Sequence, residues 1–186
     1  MRKMLAIATL LVSQLSIFSW SAHAREPMDL GSPCSGIEGV FAYSGEPLAD
    51  SGNYALGLPP NIGLLLYPKR EIAFAPDIHR YRVLIDNGWP VLELHGRRGP
   101  IGKLDMLAEG DTAYCLDDEL TIVRQHRERT GSVYNYSRHE HRLRRGVTGE
   151  LLVETVVTGK YRTKMMSWDR QPERYAARFT NTTALR

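Results

Sequence analysis

From residue 37 onward the chain alternates apolar and polar residues in short runs, and turn-forming residues end nearly every run. A period of two is the signature of strands with one buried face, whereas a surface helix repeats near 3.6 residues. Residues 37–43 alternate in this way and predict a first strand. Residues 44–60, rich in Gly, Pro, Ser and Asn, predict a long irregular loop. The apolar run 63–67, ended by Pro68, predicts a short strand.

The clearest local signal lies further on. Runs 81–85 and 91–95 are rich in β-branched and aliphatic residues, and Asp86-Asn87-Gly88 separates them. Asn-Gly tolerates the positive φ angles of a tight primed turn, so this segment predicts a hairpin. Trp89-Pro90 follows directly and leaves room for a loop longer than two residues. A turn over 96–100 leads to a strand over 101–107. The stretch 105–119 is acidic and turn-like, apart from Tyr114 and Cys115. A strand over 120–129 ends at Thr130-Gly131.

Two long runs, 133–145 and 150–161, flank Gly146-Val147-Thr148-Gly149 and predict a second hairpin with a four-residue loop. Symmetric pairing about that loop sets Arg145 opposite Glu150, Leu143 opposite Leu152 and His141 opposite Glu154. Segments 165–168 and 175–180 supply closing strands, and a short helix over 169–177, capped by Asp169, competes with the second of them. Eight or nine short strands with tight turns describe an all-β antiparallel meander. Closing into a small barrel or a strongly curved sheet disposes of its edges, with a two-sheet β-sandwich as the alternative.

The first residues do not fit that pattern. Met1-Arg2-Lys3 is basic, residues 4–20 are uncharged and mostly apolar, and Ala22-His23-Ala24 precedes Arg25-Glu26. A basic start, an apolar middle and an A-x-A stop are what a signal peptidase reads. Residues 1–24 are therefore expected to be a cleaved signal peptide, leaving 25–186 as a single β-rich domain. An uncleaved anchor fits less well, because Ser13, Gln14 and Ser16 interrupt a run already shorter than the ~20 residues of a spanning helix. The expected location is periplasmic or secreted, with membrane contact only as the precursor. There the two cysteines, Cys34 and Cys115, are expected to bond to each other.

Charge is uneven along the chain. Residues 25–119 hold 15 Asp and Glu against 8 Lys and Arg, whereas residues 120–186 hold 6 against 14. The two parts nearly cancel, which argues against a general nucleic-acid binder. Either the halves attract each other across the fold, or the second half presents an anion-facing surface.

Three constellations have chemical interest. His139 and His141 share one face of a strand at a spacing that lets two imidazoles reach one ion, and the symmetric register adds Glu154. Arg142, Arg144 and Arg145 crowd that place with positive charge, so these are weak metal candidates and no cofactor is expected. Arg138, Arg142 and Arg144 alternate on one face with Tyr134 and Tyr136 upstream, a combination suited to phosphate, carboxylate or a sugar ring. The third is the acidic run 105–119, which lacks EF-hand spacing. Neither a G-x-S-x-G elbow nor a Gly-rich phosphate loop occurs.

The reading that follows is an exported, non-enzymatic binding protein, holding a small apolar or amphipathic ligand in the barrel or engaging an envelope or protein partner. An inhibitor or immunity protein that inserts the 44–60 loop into a wall-degrading hydrolase is the alternative, and a periplasmic hydrolase comes third. A ligand carrier requires an apolar internal cavity, and an inhibitor a filled core with a protruding loop.

Overall fold

The computed structural model describes residues 34–52, 59–67 and 77–183. The expected signal peptide, its cleavage point and the middle of the 44–60 segment lie outside the described residues. Among the described residues eleven strands carry the fold: β1 (Gly39–Ala42), β2 (Glu46–Pro47), β3 (Arg80–Asp86), β4 (Trp89–Gly96), β5 (Gly99–Asp105), β6 (Thr112–Leu116), β7 (Glu119–Thr130), β8 (Val133–Arg145), β9 (Leu151–Arg162), β10 (Ser167–Asp169) and β11 (Glu173–Phe179). A 3₁₀ turn (Cys34–Ile37) precedes them, and one short helix, α1 (Ile62–Leu66), interrupts them.

The strands form two antiparallel sheets. β1-β3-β4-β5 curl strongly into a half-barrel, and β2-β11-β9-β8-β7-β6 form the larger sheet, with β10 paired to β9. Both meander segments, β3 to β5 and β6 to β9, follow chain order, as short turns require. The core between the sheets joins Phe41, Tyr81, Val83, Leu92 and Leu94 from the half-barrel to Leu120, Ile122, Leu143, Leu151, Val153, Ala177 and Phe179 from the larger sheet. Ile37, Ile62 and Leu66 fill the space between.

The first hairpin forms as the Asn-Gly pair dictates. Asn87 (φ 51°) and Gly88 (φ 79°) make a two-residue turn, and Asp86 pairs directly with Trp89, so the loop is not extended. Cys34 and Cys115 are disulfide-bonded with Cα atoms 5.8 Å apart. The bond ties the opening 3₁₀ turn to β6, an edge strand of the larger sheet, not to its middle.

Four expectations are corrected. Residues 63–67 are helix, not strand: Asn61 Oδ1 accepts from Leu64 N at 3.0 Å and caps a turn closed by Leu65 N to Asn61 O at 3.0 Å. A five-residue apolar run does not distinguish a buried helical turn from a strand. The 44–60 segment is less irregular than its composition suggests, since β2 pairs with β11 and Ser44 bridges to Asn61. The acidic 105–119 stretch contains strand β6. Of the two readings of residues 169–177 the strand prevails, with Asp169 ending β10 and residues 173–177 lying in β11.

The fourth correction matters most for function. The β8–β9 register is one residue away from the symmetric expectation: Arg145 pairs with Leu151, Leu143 with Val153 and His141 with Thr155. Glu150 belongs to the turn. Its carboxylate accepts from Thr148 N and Thr148 Oγ1, and its carbonyl accepts from Gly146 N at 2.9 Å. A one-residue slip exchanges the two faces of a strand. Here it turns Leu151 and Val153, both fully buried, toward the core and puts Glu154 outside.

Candidate binding surface on the long strands

Strands β7, β8 and β9 are the longest among the described residues, and their faces change character along their length. At the end near the Gly146–Glu150 turn, the inner face carries Leu120, Leu143 and Val153 in register. One row further, Ile122, His141, Thr155 and Tyr175 align, and beyond them Arg124, His139, Val157 and Glu173. The last inner rows are polar and aromatic: His126 and Ser137, then Glu128, Asn135, Tyr161 and Trp168. The apolar core therefore backs only the first part of these strands.

A buried ion pair marks the boundary. Arg124 donates through Nε and Nη2 to the Asp111 carboxylate (2.6 Å at the shortest), and to the carbonyls of Leu66 (2.7 Å) and Met106 (3.0 Å). Its guanidinium also lies over the Tyr67 ring, 5.3 Å from the centroid. Asp111 thus uses one cation of the second half, but this cation is on β7 and holds α1 and the segment before β6 in place. Arg145 has a similar bridging role, donating to Gly36 O, Glu38 O and Gly149 O and lying over Phe41.

His141 is buried at this boundary and its Nδ1 lies 2.9 Å from Thr155 Oγ1. Burial, then the Arg124 charge, pushes its pKa down to about 3. His139 is lowered to about 4, first by burial and then by His126 and nearby arginines. Its Nε2 lies 3.2 Å from Ser137 Oγ, with the ring edge-on to His126. This is hydrogen-bond reach between a hydroxyl and an imidazole, yet an imidazole titrating near 4 is a weak base at neutral pH. No carboxylate hydrogen-bonds to His139 among the described residues, so the orienting third group of a nucleophilic triad is not assembled there. Beside it, Glu173 accepts from Tyr175 Oη at 2.6 Å and from Arg170 at 2.6 Å, which holds the Glu173 carboxyl below its ordinary range and raises the Tyr175 phenol to about 12.

The metal-type arrangement around His139, His141 and Glu154 does not come together. Glu154 pairs in register with Arg142 on the opposite face and is ion-paired with Arg174. Among the described residues, no three His, Cys, Asp or Glu side chains are placed to share an ion.

The outer face shows the same division. Near the Gly146–Glu150 end, charges alternate and pair. Glu140 bonds Arg138 (2.8 Å) and Arg142 (2.9 Å), Arg144 lies 3.7 Å from Glu119, and Arg178 pairs with Glu46 at 2.7 Å. The Arg142 bond holds the Glu140 carboxyl below its usual range. Arg138, Arg142 and Arg144 are 50%, 43% and 60% exposed, but each has a carboxylate partner, and Glu140 supplies two of those contacts.

Tyr134 and Tyr136 belong to a different group. In register, Arg127, Tyr136 and Lys160 make one row, and Arg129, Tyr134 and Arg162 the next. The Arg127 guanidinium lies over both rings, 5.0 Å from the Tyr134 centroid and 5.4 Å from that of Tyr136, and Arg129 lies 5.4 Å from Tyr134. All four cations are exposed, and among the described residues none forms an ion pair. The structure therefore moves the cation–tyrosine face down the sheet, away from Arg142 and Arg144 and toward Arg127, Arg129, Lys160 and Arg162. The symmetric register hides it, because a one-residue slip puts Lys160 and Arg162 on the other face from the tyrosines. The alternation of β7, read in register with Tyr134 and Tyr136, is the sequence signal that finds Arg127 and Arg129.

No protein-family model, curated protein or solved structure matches this chain.

Proposed function

We propose that the chain is an exported, non-enzymatic binding protein, and that it engages an anionic envelope partner through the outer face of the far ends of β7, β8 and β9. One observation carries this reading: Arg127, Arg129, Lys160 and Arg162 surround Tyr134 and Tyr136 on a single exposed face, without carboxylate partners among the described residues. Guanidinium groups held over tyrosine rings keep their N–H edges available for phosphate or carboxylate oxygens. Packing between the sheets favours an external site over an internal ligand, since Tyr81, Phe41, Phe179 and Met106 are all fully buried there. The Cys34–Cys115 disulfide is compatible with the oxidising compartment that export implies.

The test is binding of the exported protein to a soluble polyanion such as polyphosphate, measured by calorimetry at several salt concentrations. The quadruple variant Arg127→Gln, Arg129→Gln, Lys160→Gln, Arg162→Gln is expected to lose at least tenfold in affinity. Arg142→Ala with Arg144→Ala is expected to change it less than twofold. Binding is expected to weaken with salt as the screening length falls to ~8 Å near physiological ionic strength. Equal binding by the quadruple variant and the unaltered protein rejects the proposal.

A further inference from the structure

The far end of the same three strands carries an apolar feature that the charged face does not explain. Residues 163–166 turn from β9 into β10, and Met165 and Met166 stand 92% and 67% exposed at that turn. Trp168, 44% exposed, follows on β10 and stacks on Tyr161 with ring centroids 5.6 Å apart. The turn is well formed. Thr163 N donates to Met166 O at 2.8 Å, and Thr163 Oγ1 accepts from Met165 N (3.3 Å) and Met166 N (3.1 Å). The two methionines are thus held outward by a fixed backbone. Large apolar side chains clustered on a surface mark an interaction site more often than isolated ones do.

What surrounds the turn identifies its partner. Arg162 and Lys164 border it, and Arg129 and Tyr134 share the register row of Arg162. Lys160 and Arg127 stand one outer-face row back, about 7 Å along the strands. At this end of the sheet the exposed methionines stand at the turn, with Trp168 in register on the inner face and Arg129 and Arg162 on the outer face. That order, apolar tip, aromatic edge and cationic collar, matches the layering of hydrocarbon, interface and anionic headgroup in a phospholipid bilayer.

We infer that the 163–166 turn inserts Met165 and Met166 into the surface of a bilayer containing anionic phospholipid, while Arg129, Arg162 and Lys164 contact the headgroups. This rests on the cationic face proposed above and names its partner. It also extends the protein's membrane contact beyond the precursor. Trp168 would sit at headgroup level, where an indole that is part apolar and part hydrogen-bonding is most stable. Each cation that reaches an anionic membrane surface strengthens binding by about fivefold.

The experiment is flotation of the exported protein with vesicles of phosphatidylglycerol mixed with phosphatidylcholine, and with vesicles of phosphatidylcholine alone. Binding is expected only to the anionic vesicles, with a blue shift of tryptophan emission. Met165→Ser with Met166→Ser is expected to lower vesicle affinity at least tenfold and to leave polyphosphate binding and the thermal midpoint unchanged. Arg129→Gln, Arg162→Gln and Lys164→Gln together are expected to lower both vesicle and polyphosphate binding.

Polyphosphate binding without vesicle binding, or vesicle binding unchanged in the methionine variant, overturns the bilayer inference and leaves the anionic-partner reading standing. Equal binding to phosphatidylcholine alone also overturns it. So does self-association in the absence of lipid that the methionine substitutions abolish, since the turn would then be a protein contact. Failure to bind polyphosphate and vesicles alike removes both readings.

Discussion

The two ends of strands β7 to β9 share a backbone, a register and an alternating pattern, yet they differ in nearly every side-chain property. At the Gly146–Glu150 end, the inner face is Leu120, Leu143 and Val153 against the half-barrel, and the outer face is a ladder of paired Arg and Glu. At the other end the inner face is Asn135, Tyr161 and Trp168, and the outer face carries cations without carboxylate partners among the described residues. The first end is built for stability and its charges are satisfied locally. The second extends past the core, where side chains contribute little to folding. Exposure alone does not leave a cation unpaired: Arg142 and Arg144 are exposed, but Glu140 and Glu119 hold them.

Substitutions at the boundary between the ends should have the largest effect. Arg124→Ala leaves Asp111 buried without its partner and is expected to destabilise the protein by about 3–5 kcal/mol in urea denaturation. Arg129→Ala, beyond the boundary, is expected to change stability by less than about 0.5 kcal/mol. A similar loss for both would abolish the distinction between the ends.

The same contrast exists within β8. Leu143→Ala is expected to cost about 2–5 kcal/mol, because the side chain is fully buried. Arg142→Ala, its neighbour on the opposite face, is expected to cost no more than about 1 kcal/mol, as an exposed ion pair does. Equal losses would show that the outer ladder supports the fold as much as the core does.

Removing the disulfide by Cys34→Ser and Cys115→Ser is expected to lower stability by about 2–4 kcal/mol, depending on the model of the unfolded chain. The polyphosphate binding proposed for the far end should not change, since the bond lies at the opening 3₁₀ turn and β6. Loss of polyphosphate binding in a variant that remains folded would show that the two ends are coupled.

Acid should weaken the boundary. His139 and His141 titrate near 4 and 3 in the folded protein, below the ordinary histidine value of 6.5, chiefly because burial disfavours the charged ring. Between pH 6.5 and those values the unfolded chain binds protons that the folded protein excludes, so stability falls as pH falls through that window and does not change through these groups above it. His141→Phe is expected to flatten the fall when unfolding free energy is measured across that range. An unchanged slope would place the acid sensitivity elsewhere.

Local chemistry decided much of this protein. Asn87-Gly88 made the first hairpin because few other pairs tolerate positive φ at both turn positions. The long runs became β7, β8 and β9 because alternation over twelve or thirteen residues suits no other element. The pairing of Cys34 with Cys115 was legible because the chain contains no other cysteine.

Tertiary structure decided the rest. Residues 62–66 became helix because Asn61 caps the turn and both sheets enclose its apolar side chains. The β8–β9 register depended on whether Leu151 and Val153 or Leu152 faced the core, and the Glu150 carboxylate in the turn and the half-barrel opposite settled that choice. That single residue of register put Lys160 and Arg162 beside Tyr134 and Tyr136. Partnerships such as Arg144 with Glu119 or Arg124 with Asp111 join residues from different elements. Alternation along one strand gives the two faces but not what each will meet, because that depends on contacts between segments distant in the chain.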